Sequence, residues 1–130
     1  MSDEVVAAVA SVVAGDTTFD ALRGQTQEQV VAACAATPFV LTAPAVARVL
    51  AGFANGGISA TAAQQWAAFV SRGMLPGAQS GQALDIDYEA DAEAAIVEAV
   101  VRLDELGDVV DGSLGREEAE QLIAALFRAS

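Results

Sequence analysis

Residues 59–72, which read SATAAQQWAAFVSR, decide the fold class that we expect for this chain. Ser59 is a preferred N-cap residue, and the stretch that follows is rich in alanine, the best helix former. Apolar side chains recur there at spacings of three and four residues: Ala63, Trp66, Ala67 and Val70. Such spacing places them on one face of a helix. The pattern predicts a helix over about 60–72 whose apolar face carries the only tryptophan inward.

The same pattern occurs again on both sides of this helix: a capping residue, then spaced apolar residues, then a Gly or Pro at which the helix ends. They predict helices over about 3–14 and 27–36, a third between the cap Thr42 and the stop Asn55-Gly56-Gly57, and others over about 87–106 and 115–129. Residues 16–24 are expected to connect the first two helices, with a helical turn around Phe19 and Leu22. Residues 73–84 are expected to form a long loop, and residues 107–114 a turn. We therefore expect one domain, 1–130, with an all-α fold: an antiparallel bundle of about five to six helices and no sheet.

The same spacing identifies the side chains that should fill the bundle around Trp66. They are Val46, Leu50, Val70, Ile96, Leu103, Leu122 and Leu126. The last helix is expected to turn Ile123 and Phe127 inward as well. Cys34 lies in a run of alanine and valine and has no base near it in the sequence, so we interpret it as a small buried apolar residue.

Composition excludes several classes of function. The 130 residues include 18 Asp and Glu against 6 Arg, with no Lys and no His, for a net charge of −12. A chain this acidic is unsuited to binding nucleic acid through phosphate contacts. The absence of His removes His-based catalysis and His metal ligands, and a single Cys removes internal disulfides and Cys-cluster zinc sites. We expect no cofactor and no metal.

We expect no targeting signal in this sequence. The start, Met1-Ser2-Asp3-Glu4, carries acids where a secretory leader needs positive charge. Uncharged stretches do occur, but Pro38, Pro44 and the Asn55-Gly56-Gly57 turn interrupt them before the roughly 20 residues that a spanning helix needs. We expect a cytoplasmic protein that does not enter a membrane.

The acidic residues raise two possibilities for carboxylate chemistry: a calcium site and acid–base catalysis. An EF-hand with Gly112 sixth would place Asp111 fifth and Glu118 twelfth, but its first and third positions would be Gly107 and Val109, which offer no carboxylate. A pair of carboxylates could perform acid–base catalysis, yet no motif singles out such a pair. An enzyme that uses paired carboxylates is therefore the least favoured interpretation.

The distribution of charge is the most informative feature of the sequence. Residues 1–84 carry a net charge of −2, from five acids and three Arg, whereas residues 85–130 carry −10, from thirteen acids and three Arg. Five alternate acids open the predicted helix over 87–106: Asp85, Asp87, Glu89, Asp91 and Glu93. On a helix, acids four residues apart repel each other, so folding alone does not explain them.

These five acids are the candidate partner-binding residues, and the partner they predict is a basic protein. A solvated face that keeps an alanine-rich protein soluble is the alternative, and an acidic proteome is another, although it would not explain the asymmetry. The oligomeric state is left open.

Two segments of the sequence carry a family resemblance. The first is Gly57-Ile58-Ser59 followed by Gln65-Trp66-Ala67, which is similar to a helix of one family, the small bacterial immunity proteins of the colicin D immunity type. Residues 101–106 (VRLDEL), 111–114 (DGSL) and 117–126 resemble its closing helix–turn–helix. The resemblance covers about 56–127 apart from the long loop, and it implies a small acidic helical bundle that binds a cognate RNase toxin and blocks its active site.

Together these observations favour a non-catalytic acidic binding protein, with an immunity protein that neutralises a basic nuclease-type toxin as its specific form. A small helical protein that self-associates or acts as an adaptor is the alternative, and it would expose an apolar patch. Arginine without lysine, together with abundant alanine and valine, suggests a GC-rich bacterial genome.

Overall fold

A computed structural model describes residues 2–35, 37–75, 82–106 and 115–128 of the chain. Six α-helices account for most of these residues: α1 (Ser2–Val13), α2 (Gln27–Ala33), α3 (Ala43–Ala54), α4 (Ala60–Arg72), α5 (Glu93–Asp104) and α6 (Arg116–Arg128). Two short strands, β1 (Phe39–Leu41) and β2 (Ile86–Tyr88), and two 3₁₀ turns, Asp20–Leu22 and Ala90–Ala92, complete the description. The prediction of a predominantly helical protein is confirmed.

The predicted caps form the hydrogen bonds that begin these helices. Ser59 Oγ accepts from the backbone N–H of Ala62 at 3.1 Å, and Thr42 Oγ1 accepts from Ala45 at 3.3 Å. Thr26 forms a complete capping box with Gln29 at the start of α2. Helix α2 ends at Ala33, before the predicted end at residue 36, which lies outside the described residues.

The expectation of no sheet is wrong, because β1 and β2 pair in parallel. Phe39 pairs with Ile86, Val40 with Asp87 and Leu41 with Tyr88. Burial along β1 alternates with the period of two that a strand requires. A three-residue strand has little intrinsic stability, so its pattern is hard to recognise in a sequence. Here the pairing and the burial of Phe39 and Leu41 in the core hold it.

The pairing also corrects the helix predicted over 87–106. Residues 86–88 are extended, and the α-helix begins at Glu93 and ends at Asp104. The other predicted helices agree with the structure to within a few residues, and the connector does contain a helical turn at Asp20–Leu22. The middle of the predicted loop, 76–81, and the predicted turn over 107–114 lie outside the described residues.

The core forms around Trp66 as the spacing predicts. Trp66 is 0% exposed, and its indole Nε1 donates a 2.7 Å hydrogen bond to the carbonyl of Val12 in α1. The seven residues predicted to surround Trp66 are all buried: Val46, Leu50, Val70, Ile96, Leu103, Leu122 and Leu126. Ile123, also predicted inward, is partly buried against the core. Phe127 is 52% exposed, so its predicted inward position is wrong. Leu122 and Leu126, one turn apart, already occupy the inward stripe of α6, and Phe127 follows about 100° farther around the helix.

Cys34 is buried, as predicted, and its thiol is free. Burial raises the pKa of its thiol, which favours the neutral form. In the part of the chain that the structure describes, no helix has the length and apolar character to cross a bilayer.

Candidate functional site

The five predicted partner-binding acids lie on a strand and a turn rather than along one helix. Asp85 precedes β2, Asp87 is its central residue, and Glu89 follows it. Asp91 lies in the 3₁₀ turn Ala90–Ala92, and Glu93 is the first residue of α5. The repulsive helical pairs that the sequence predicted, Asp87 with Asp91 and Glu89 with Glu93, are therefore not neighbours on successive helical turns.

Glu89 differs from the other four because it has a structural contact. Its Oε1 accepts a 3.0 Å hydrogen bond from the backbone N–H of Ala43, the first residue of α3. Its own N–H donates to the carbonyl of Leu41 at 2.9 Å, which extends the pairing of β1 and β2 by one residue. A carboxylate at a helix N-terminus faces the positive end of the helix dipole. Glu89 therefore stabilises α3, a role that sequence spacing did not indicate.

Asp85, Asp87, Asp91 and Glu93 are exposed, and we call these four residues the acidic surface. Within the described ranges none of them takes part in an ion pair. Salt bridges in these ranges join other residues: Arg23–Asp20, Arg72–Asp104, Arg102–Glu105, Arg102–Glu118 and Arg116–Glu120. The negative charge of the acidic surface is therefore not neutralised by the arginines of those pairs.

Two of these acids share a small polar hollow. Asp87 and Glu93 line it together with Ile86, Tyr88 and the last turn of α4 at Ser71, and its volume is about 450 Å³. Burial raises the pKa of the Tyr88 phenol, so its hydroxyl stays protonated at neutral pH. The carboxylates of Asp87 and Glu93 beside this polar hollow suit a cationic side chain, which can donate hydrogen bonds to them.

A second acidic region lies between α5 and α6, and sequence reasoning did not single it out. Arg102 donates to both carboxylate oxygens of Glu118, from Nε at 2.6 Å and from Nη2 at 3.1 Å, and it also bonds Glu105. The hydrogen bond from Arg102 lowers the pKa of Glu118. Because Arg102 partly neutralises this region, it differs electrostatically from the acidic surface. Arg102 and Glu118 are sixteen positions apart, so no local sequence pattern could have identified them as a pair.

Metal-ligand clusters and buried carboxylates are both absent from the described residues. These residues contain no group of three side chains that could hold a metal ion. Gln27 is the only polar or charged residue buried among them. The candidate calcium loop lies mostly outside the described residues, which resume at Gly115.

Comparison of the chain with protein-family models, with curated proteins and with solved structures gives no match in any of the three.

Proposed function

We propose that the protein is a non-catalytic binding protein whose acidic surface receives a basic protein partner. The observation that carries this proposal is the grouping of four exposed carboxylates, without ion pairs in the described ranges, on the continuous segment from Asp85 to Glu93. Unpaired surface charges of one sign contribute little to folding, but they accelerate association with a partner of opposite charge.

The distribution of charge along the chain supports the same proposal. The acidic surface opens the C-terminal part of the sequence, 85–130, which holds −10 of the total charge of −12. A requirement for solubility alone would be met by acids spread over both parts. Their concentration on one part creates a field that can orient a basic partner during approach.

The specific form that we propose is a cytoplasmic bacterial immunity protein that occludes a basic RNase toxin, as the resemblance to the colicin D immunity type implies. As part of this proposal, the helices pack as an antiparallel bundle. Trp66 lies in the core, so the family-like Gly57-Ile58-Ser59 and Gln65-Trp66-Ala67 segments would build the scaffold. The acids of the acidic surface would contact the toxin, as carboxylates that occupy the positions of RNA phosphates.

The test compares wild type with the triple variant Asp87→Asn, Asp91→Asn and Glu93→Gln, which leaves Glu89 in place. The partner is the product of the neighbouring gene, or a protein retained from the native lysate and then purified. Association kinetics are measured over a series of salt concentrations. We expect slower association and a flatter salt dependence for the variant, because exposed charges act mainly on the encounter and are screened over about 8–10 Å.

The matched control is Glu4→Gln, Glu98→Gln and Glu117→Gln, which removes the same charge from exposed acids outside the acidic surface. If both triple variants slow association equally, only net charge matters and the acidic surface is not the binding site. If neither does, the acids serve solubility and the proposal fails.

Self-association is the second candidate function, and one observation favours it. Val97 and Val101, one turn apart on α5, are both more than 40% exposed. Sedimentation equilibrium of wild type and of Val97→Ser/Val101→Ser distinguishes the two functions. A dimer that the double variant abolishes would favour self-association, whereas a monomer in both would favour the basic partner.

A further inference from the structure

We infer that a groove beside the acidic surface receives an apolar side chain of the basic partner, flanked by that partner's cationic side chains. This inference rests on the proposed function and names the chemistry of the contact. The groove lies between α2 and residues 82–85 and encloses about 420 Å³. Val31, Cys34, Ala35 and Leu84 contribute apolar walls, and the exposed acids Glu28 and Asp85 line the groove as well.

Hydrogen bonds hold the two walls of the groove in place. The buried side chain of Gln27, at the start of α2, donates from Nε2 to the carbonyls of Gly73 and Gln82, both at 2.9 Å. Its Oε1 accepts from the N–H of Leu75 at 2.8 Å. The N–H of Leu84 donates to the Gly73 carbonyl at 2.8 Å. An apolar groove with hydrogen-bonded walls binds at a lower entropic cost than one that must first form.

Charge selects the kind of occupant. Glu28 and Asp85 are exposed and have no ion pair among the described residues. The last turn of α2 carries no basic residue, so the negative end of its dipole also favours a cation from the partner. An apolar side chain between Arg or Lys residues would contact the apolar walls, while its cationic neighbours would pair with Glu28 and Asp85. A second copy of this chain is disfavoured, because each copy carries a net charge of −12.

Asp85 connects the groove to the acidic surface, because it belongs to both. The Asp85 carbonyl also accepts from the N–H of Phe39 at 3.3 Å, which anchors this edge of the groove to β1. A basic partner that first contacts the acidic surface could therefore place an apolar residue in the groove without leaving it. Charge would supply the rate of approach, and the groove would supply specificity among basic partners.

The experiment is a nuclear magnetic resonance titration of the ¹⁵N-labelled full chain with three capped tripeptides: Arg-Leu-Arg, Arg-Ser-Arg and Glu-Leu-Glu. We expect Arg-Leu-Arg to shift the amide signals of Val31, Cys34 and Leu84 in a saturable manner. Arg-Ser-Arg should bind at least roughly threefold more weakly at those amides, since it lacks the apolar contact. Glu-Leu-Glu should leave them unshifted.

Three variants show whether the groove itself is responsible. Glu28→Gln/Asp85→Asn should weaken Arg-Leu-Arg binding roughly threefold or more, whereas Glu98→Gln/Glu117→Gln, with the same change in charge, should not. Ala35→Leu places a larger side chain at an exposed position on the groove wall and should block the peptide. The dispersion of each variant's amide spectrum reports whether it is folded.

The outcomes separate this inference from the proposed function. If Arg-Leu-Arg shifts only the amides of Asp87, Asp91 and Glu93, the groove is not a binding site while the acidic surface still is. Equal binding of Arg-Leu-Arg and Arg-Ser-Arg at the groove amides would overturn the apolar contact. A third outcome is that Arg-Leu-Arg binds at the groove while the triple variant of the acidic surface associates with the partner at the wild-type rate. That outcome would support the groove and contradict the proposed function.

Discussion

Glu89 Oε1 accepts a 3.0 Å hydrogen bond from the backbone N–H of Ala43, and this contact joins the end of β2 to the start of α3. Thr42 supplies the N-cap of the same helix through Ala45. Two side chains from distant parts of the sequence therefore satisfy the free N–H groups of one helix terminus. The contact also divides five acids that look alike in the sequence into one structural residue and four exposed ones.

We predict that Glu89→Ala lowers the free energy of unfolding by about 1–2 kcal/mol, since it removes both the acceptor and the charge at the α3 terminus. Glu89→Gln keeps an acceptor and should cost less. Urea denaturation measures both. The control is Asp91→Asn, an exposed acid, which should change stability by less than about 0.5 kcal/mol. If Glu89→Ala and Asp91→Asn change stability equally, Glu89 does not stabilise α3 and is a surface acid like the other four.

Gly73 and Gly24 offer a matched pair of glycines with positive φ, +70° and +85°. A Cβ on Gly73 would lie 2.6 Å from the carbonyl oxygen of Leu84 and 2.8 Å from its nitrogen, whereas a Cβ on Gly24 would have no neighbour within 4 Å. Gly24→Ala should therefore cost only the backbone strain, about 1–2 kcal/mol.

Gly73→Ala should cost clearly more than Gly24→Ala, because the backbone of Leu84 must move and its hydrogen bond to the Gly73 carbonyl is disturbed. Thermal unfolding followed by far-ultraviolet circular dichroism compares the two variants. Melting temperatures that fall by the same amount would show that the approach of Leu84 does not limit the substitution.

Trp66→Phe should destabilise the protein by about 2–4 kcal/mol, because it creates a cavity and removes the bond to Val12. The Val12 carbonyl still accepts from the N–H of Gly15 at 3.0 Å, so it is not left without a donor. Val97→Ala, at a half-exposed position, should cost much less.

Because Trp66 is the only tryptophan, its fluorescence in the wild type reports the same site. We expect emission in the native protein that acrylamide quenches weakly, with strong quenching in urea. Strong quenching before unfolding would contradict the burial of Trp66.

The pair Arg102–Glu118 makes stability dependent on acid pH. Its hydrogen bond lowers the pKa of Glu118 below the ordinary value of 4.5, so the pair's contribution is present above that value and is lost as the pH falls through the folded-state pKa. The side chain of Glu118 is 42% exposed, so this contribution is about 0.5–1 kcal/mol.

Unfolding free energies of wild type and Glu118→Gln should therefore differ most near neutral pH and converge as the solution is acidified below about pH 4. Glu117→Gln, which removes a neighbouring carboxylate without an ion pair to Arg102, should cost less at neutral pH. A difference between wild type and Glu118→Gln that is constant with pH would contradict the role of the pair.

Local sequence patterns determined the helices and the core of this protein. A capping side chain and its target lie within a few residues of each other, so Thr26, Thr42 and Ser59 mark helix starts without any knowledge of the fold. Helical spacing likewise identifies the side of each helix that is buried, and Trp66 with the predicted leucines and valines lies there. The excess of acids at the start of the C-terminal part is equally visible in the sequence, although the partner that it suggests remains a proposal.

Tertiary structure decided the features that join distant residues. Strand β2 has three residues, and it is extended where it pairs with β1, although the sequence predicts a helix from residue 87 onward. That pairing places Glu89 against Ala43, and it separates the acids that a continuous helix would have aligned. The groove at α2 likewise exists because Gln27 reaches the carbonyls of Gly73 and Gln82. Hydrogen bonds between residues some fifty positions apart have no local periodicity, so only the folded chain reveals them.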